Sequence, residues 1–296
     1  MSQINDSNNE NLIRIIRELS SPLDPLPTDQ LPTTTSIDDI QHIVFDVYGT
    51  LFVSGVGDIG NSAPADRGAA LSTTLSKMGA RHLPENDVLE KVYLEEIQNN
   101  QGLSRILGAR NPEVEIREVW QRLITRTAPN LRLSPDRIEE MALRFELAVN
   151  PVWPMPDLGH ILDQLSIRFP PFGIVSNAQF FTPLLFPALT GRSLRDLHFD
   201  PFSCVWSFEE REAKPSTKLF EILLSRVEGD LRPEQILYVG NDRLNDIYAA
   251  REAGLRTALF AGDSRSLRLR EDHPDCKDAI PDCTITNLSQ LFALIR

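Results

Sequence analysis

Four short stretches of the chain hold side chains able to do chemistry together. They are Asp46-Val47-Tyr48-Gly49-Thr50, Ser176-Asn177, Lys214-Pro215, and Gly240-Asn241-Asp242-Arg243-Leu244-Asn245-Asp246. Between them they supply a carboxylate, hydroxyls, an ammonium and an acidic cluster. That set suits nucleophilic displacement on an electrophile bearing oxygens. Asp242 and Asp246 are four residues apart. A helix starting at Gly240 would place both on one face near its N-terminus. There they would either bind Mg²⁺, directly or through water, or complement the helix dipole.

These stretches have elements to hold them. Short apolar runs lie at 40–45, 172–175, 202–206, 236–239 and 257–260. Such runs, bounded by turns, read as buried strands of a parallel sheet. Helical patterns lie between most of them, for example Phe220, Leu223, Leu224 and Val227 on one face. Strands alternating with helices predict an α/β fold with a doubly wound, Rossmann-like sheet. In such sheets ligands bind at the carboxyl ends of the strands. Three of the stretches directly follow a predicted strand, and Lys214 lies in the loop after the third.

A long insertion, 59–152, separates the first two runs. Its pattern predicts helices over 68–79, 85–100, 114–127 and 135–149, with Ser134-Pro135 as one start. It is too long for a loop and reads as a separate helical domain. Residues 1–39 read as an extension and linker. Leu12, Ile15, Ile16 and Leu19 are spaced for one short amphipathic helix, and Pro22, Pro25, Pro27 and Pro32 prevent it from continuing. The α/β core is then 40–58 together with 153–296.

The four stretches resemble the motifs of the haloacid dehalogenase superfamily of hydrolases. The matching residues are Phe45-Asp46-Val47-Tyr48-Gly49-Thr50-Leu51, Val175-Ser176-Asn177, Ala213-Lys214-Pro215-Ser216, and Val239-Gly240-Asn241-Asp242 through Asn245-Asp246. They occur in the family's order, over about 40–262, and the insertion looks like the family's cap. The resemblance implies that Asp46 is a nucleophile forming an aspartyl-enzyme ester, steadied by Lys214. It implies that Thr50, Ser176 and Asn177 bind substrate. It also implies Mg²⁺ held around Asp46, Tyr48, Asn241, Asp242 and Asp246.

Two positions depart from the family pattern. Tyr48 stands where the family's phosphatases carry a second Asp that serves as acid and base. A phenol is a poor acid at neutral pH. Asn241 stands where the metal-binding Asp usually follows the glycine. The expectation is Mg²⁺-dependent phosphoryl hydrolysis of a small anionic metabolite. The alternatives are metal-independent 2-haloacid dehalogenation and a non-catalytic binding protein on the same fold. Arg67 is expected to be a solvated helix residue, and the basic run 264–270 a solvated loop or helix end rather than part of the site mouth.

Composition narrows the classes further. The 296 residues hold 30 Lys and Arg against 42 Asp and Glu, a net charge of −12. An acidic surface repels phosphate backbones, which argues against nucleic-acid binding. Cys204, Cys276 and Cys283 lack zinc-ligand spacing and read as reduced thiols. The N-terminus has no signal-peptide pattern, and no run approaches membrane-spanning length. A cytoplasmic protein is the expectation.

Overall fold

A computed structural model describes residues 6–33, 35–56, 64–227, 229 and 231–295. Helix α1 (Asp6–Leu19) precedes strands β1 (His42–Phe45) and β2 (Phe52–Ser54). Four helices come next: α2 (Pro64–Lys77), α3 (Asn86–Ile106), α4 (Ile116–Thr127) and α5 (Pro135–Val149). Strand β3 (Val152–Pro154) then returns antiparallel to β2, with Ser54 opposite Val152. The rest alternates through α6 (Leu158–Ser166), β4 (Phe172–Ser176), α7 (Thr182–Leu189), β5 (Phe199–Trp206), α8 (Ser207–Glu210), α9 (Lys218–Arg226) and β6 (Ile236–Gly240). A π-helical turn, Arg243–Tyr248, leads into α10 (Ala249–Glu252), and β7 (Arg256–Phe260), β8 (Cys283–Ile285) and α11 (Leu291–Leu294) complete the chain.

The main sheet has six parallel strands in the order β5-β4-β1-β6-β7-β8. The chain therefore winds outward from β1 in both directions, and the strand order reverses at β1. Ligand crevices form at such reversals, beyond the strands' carboxyl ends. Burial follows the two-residue period of a strand. Ile43, Phe45, Ile174, Leu237 and Val239 pack on one face, while Val44, Val175, Ile236 and Tyr238 pack on the other. Both faces are covered, which explains why these strands read as continuous apolar runs.

Helices α2 to α5 occupy the expected insertion and share a core of their own. The rings of Tyr93, Trp120 and Phe145 meet there with centroids 5.2 to 5.7 Å apart. Helix α5 begins as expected, because the Ser134 side chain accepts a hydrogen bond from the Arg137 N–H and Pro135 needs no donor. The expected start of the insertion, at 59, lies outside the described residues. The β2–β3 pair was not foreseen, since three-residue strands carry too little periodicity to read. Strand β5 starts at Phe199, three residues before the apolar run at 202–206.

Helix α1 packs on both α7 and α5. Leu12, Ile15 and Ile16 are fully buried, whereas Leu19 is 45% exposed. Asn8 donates to Glu139 on α5, and Arg17 donates to the Pro187 and Ala188 carbonyls on α7. The linker after α1 runs beside the sheet edge, with the Thr33 N–H donating to the Thr284 carbonyl on β8. Covering an edge strand in this way removes an open pairing surface. Among the described residues, no helix is long and apolar enough to cross a membrane.

Candidate active site

Asp46 directly follows β1, and its N–H donates to the Val239 carbonyl of β6. The chain then turns sharply, with Thr50, Leu51 and Phe52 all donating to the Val47 carbonyl. Gly49 has φ +78°, and a Cβ there would lie 2.6 Å from Ser266 Cβ and 2.7 Å from Asn241 Nδ2. Only glycine allows both that backbone and that approach. Gly240 serves a second close approach, for a Cβ there would sit 2.4 Å from Asp246 Cγ.

Lys214 reaches in from the loop after α8. Its Nζ lies 2.9 Å from Asp46 Oδ1, 2.5 Å from Asp246 Oδ1, 2.8 Å from the Tyr238 hydroxyl and 3.3 Å from the Val175 carbonyl. Burial works to lower its pKa, but Asp246 and Asp46 outweigh that and the net shift is upward. The ammonium therefore stays charged. Burial pushes the Asp246 carboxyl up, against the pull of Lys214. Asn177 holds the lysine backbone at both polar groups, accepting from the Lys214 N–H at 2.8 Å and donating to its carbonyl.

The two oxygens of Asp46 differ in their surroundings. Its Oδ1 is taken by Lys214, and no described residue hydrogen-bonds to Oδ2. That side chain lines a cavity of about 440 Å³ between the sheet edge and helices α2, α3 and α5. The same cavity is lined by Tyr48, Asn177, Lys214, Asn241, Asp242 and Asp246. Its outer wall is mostly apolar, including Tyr93, Ile97, Ile116, Phe145 and Phe181.

Several expected roles change. No helix starts at Gly240, because β6 extends through it and Asp242 caps the π-helical turn. Asp242 Oδ1 accepts from the N–H groups of Leu244 and Asn245. Its carboxylate is also gripped by Arg270, whose Nε lies 2.8 and 3.0 Å from its two oxygens. The run 264–270 is thus no solvated loop, since it neutralises an acid at the site. Thr50 and Ser176 are fully buried and do not line the cavity. Thr50 donates to Asn241 Oδ1 at 3.1 Å, and Ser176 donates to the Asn177 carbonyl. In this structure both hydroxyls donate to residues that shape the site. Arg67 is also not solvated; it lines the cavity and pairs with Glu90 at 3.1 Å.

The Tyr48 hydroxyl is 2.9 Å from Thr182 Oγ1. Burial, opposed by that hydrogen bond, raises its pKa above the ordinary phenol value. A phenol held neutral in this way is a weaker proton donor than the Asp it replaces.

The donors expected for Mg²⁺ divide into two groups. The oxygens of Asp242 and Asp246 are engaged by Arg270, Lys214 and backbone N–H groups. The Tyr48 hydroxyl is engaged by Thr182. Among the described residues Asp46 Oδ2 accepts no hydrogen bond and Asn241 Oδ1 accepts only the Thr50 hydroxyl, which leaves it a second lone pair. One carboxylate and one amide oxygen, completed by water and substrate oxygens, fit the way Mg²⁺ is usually held. An amide in place of a second carboxylate makes the site a weak one.

Sequence reasoning missed Tyr238, Arg270, Glu113 and Glu146. Tyr238 and Arg270 act through contacts that span 24 and 28 residues. Glu146 did leave a signal: Ala142, Phe145, Glu146 and Val149 share one helical face, so a carboxylate interrupts an apolar stripe.

A family model for haloacid dehalogenase-like hydrolases matches residues 40–254. Comparison with curated protein sequences gives no match. The structure of a 2-haloacid dehalogenase from Pseudomonas syringae pv. Tomato DC3000 is similar, at 20% identity and a TM-score of 0.54. The match covers 86% of this chain and 97% of that one. A HAD phosphatase from Thermococcus onnurineus is similar at 19% identity and a TM-score of 0.51, over 85% of this chain and 96% of that one. At these identities the structures speak for the fold. With the family model spanning most of the chain and the four motifs gathered at one sheet edge, the chain belongs to the haloacid dehalogenase-like hydrolases.

Proposed function

We propose that the protein hydrolyses a phosphoryl group from a small anionic metabolite through an ester on Asp46, with α2 to α5 as the cap that closes the site. The observation that carries this reading is the asymmetry of Asp46. One oxygen is pinned by the Lys214 ammonium, the other has no hydrogen-bond partner among the described residues, and the side chain lines the cavity. A pinned carboxylate with one free oxygen is oriented for in-line attack before substrate arrives.

Lys214 compensates negative charge on Asp46 and on the group being attacked. Asn177 keeps the lysine in place through its backbone. Thr50 orients Asn241, and Gly49 lets the turn approach that amide. Asp46 and Asn241 are the residues that would hold Mg²⁺, whose charge offsets repulsion between a carboxylate nucleophile and an anionic phosphoryl group. The apolar outer wall favours a substrate with a small apolar body behind its anionic end.

A second reading, metal-independent displacement of halide from a 2-haloacid, is favoured by Tyr48 and Asn241. Halide leaves without a proton, so a neutral, buried phenol at position 48 costs nothing there. The experiment is release of phosphate from an aryl phosphate with and without EDTA, run beside chloride release from 2-chloroacids. Phosphate release suppressed by EDTA is the expected result. Halide release insensitive to EDTA would reverse the order of the two readings. Failure of both, with no trapping of beryllium fluoride on Asp46, would favour a binding protein on this fold.

A further inference from the structure

The phosphoryl reading lacks an acid for the leaving group, because Tyr48 is neutral, buried and turned to Thr182. An alkyl alkoxide leaves slowly without one. We infer that Glu146, on cap helix α5, is the proton donor and acceptor that takes over the missing role, an assignment that rests on the phosphoryl reading. Glu146 lines the same cavity as Asp46, Lys214 and Tyr48.

The geometry singles it out among the cap acids. Its Oε1 accepts from Asn150 Nδ2 at 3.3 Å, and no described residue hydrogen-bonds to Oε2. Asn150 is itself held, because its Oδ1 accepts from the Ser54 hydroxyl at 2.9 Å. That fixes the amide with its NH₂ toward Glu146 and ties the acid to strand β2 of the core. Glu113, the other cap acid on the wall, is spent: it accepts from the Ser207 hydroxyl, the Val114 N–H and the Gln179 amide.

Glu146 is also in a suitable protonation state. Burial pushes its carboxyl up to about 7, with the Asn150 amide opposing. The titratable groups that line the same cavity are the phenols of Tyr48 and Tyr93, the guanidinium of Arg67, the acid Glu113, and the Lys214 ammonium with the carboxyls of Asp46, Asp242 and Asp246. Both phenols are held neutral by burial, and Arg67 is paired with Glu90. An acid with a pKa near the working pH serves best in both directions of proton transfer.

The steps balance. Asp46 Oδ2 bonds to phosphorus as the bond to the leaving oxygen breaks, and that oxygen takes the Glu146 proton. The Glu146 carboxylate then takes a proton from the water that attacks the aspartyl phosphate. Phosphate leaves, Asp46 is freed and Glu146 is protonated again.

The test is a leaving-group series of aryl and alkyl phosphates, measured with the wild type and with Glu146→Gln. Alkyl substrates should lose roughly 10²–10⁴-fold in kcat/KM, and aryl substrates with better leaving groups far less. Wild-type kcat/KM should fall above a pH of about 7, where the acid is lost, and that limb should vanish in the variant. Glu146→Asp, which keeps an acid on a shorter stem, should recover part of the alkyl activity. Circular dichroism and thermal melting establish that both variants are folded. An equal loss across the series with the limb retained overturns the role of Glu146 and leaves the phosphoryl reading standing. A wild type inert toward every phosphate ester overturns both.

Discussion

The Lys214 ammonium is 2.5 Å from Asp246 Oδ1, and the two side chains are almost wholly enclosed. The same ammonium touches Asp46 Oδ1 at 2.9 Å, so one cation serves two carboxylates that would otherwise repel. Positioning of Asp46 and stability of the sheet edge are therefore the same interaction.

Replacing Lys214 should separate from replacing Asp46. Lys214→Met leaves Asp46 and Asp246 buried without their cation, and breaking a buried pair costs about 3–5 kcal/mol. Urea denaturation should show that loss along with a turnover deficit of roughly 10²-fold or more. Asp46→Asn removes one negative charge and should leave the stability near that of the wild type while abolishing turnover. Asp46→Asn turnover equal to that of the wild type would remove the basis of the proposed reaction.

Gly240→Ala should act through Asp246. The added Cβ falls 2.4 Å from Asp246 Cγ, so the carboxylate must move off Lys214. Displacement of that order at a reacting centre costs roughly 10²-fold. The expected result is a kcat loss of that size with KM much less affected. Wild-type rates in a folded Gly240→Ala protein would show that Asp246 is not part of the positioning.

A pH effect on stability should come from His42. Burial drives its pKa down to about 4, with Asp200 opposing, and its Nε2 has no hydrogen-bond partner among the described residues. The unfolded chain takes up the proton near pH 6.5. Between about 6.5 and 4 the unfolded state binds more protons, so stability falls as pH falls across that window. The full shift corresponds to about 3 kcal/mol, reached once the pH is below the folded pKa. His42→Leu should flatten that part of the stability curve by urea titration at pH 4 to 7. A curve unchanged by the substitution would assign the slope to carboxylates.

The N-terminal helix should matter to more than itself. Ile16 is fully buried where α1 meets its neighbours, so Ile16→Ala should cost about 2–5 kcal/mol. Because α1 packs on both α5 and α7, hydrogen exchange should rise in the insertion as well as in α1. Faster exchange confined to α1 would mean that it only covers the surface.

The sequence alone determined a good deal. Apolar runs ending at Asp46 and Ser176, and before Asn241, specify strands whose ends share one edge, since a parallel doubly wound sheet leaves them no other arrangement. The stripe Leu12, Ile15 and Ile16 likewise specified a docked helix, because period and burial are local properties. The tertiary structure decided which of those polar groups remain free. Thr50 and Ser176 read as substrate ligands in one dimension, and inside the fold each hydroxyl donates to a neighbouring residue. Asp242 reads as a metal ligand in one dimension, and inside the fold it also pairs with Arg270, 28 residues away. Glu146 looks like a misplaced charge until the cavity gives it a face. Hydrogen-bonding capacity is finite and is allotted by contacts distant in sequence. A motif therefore names the candidates, and only packing determines which of them have an oxygen to spare.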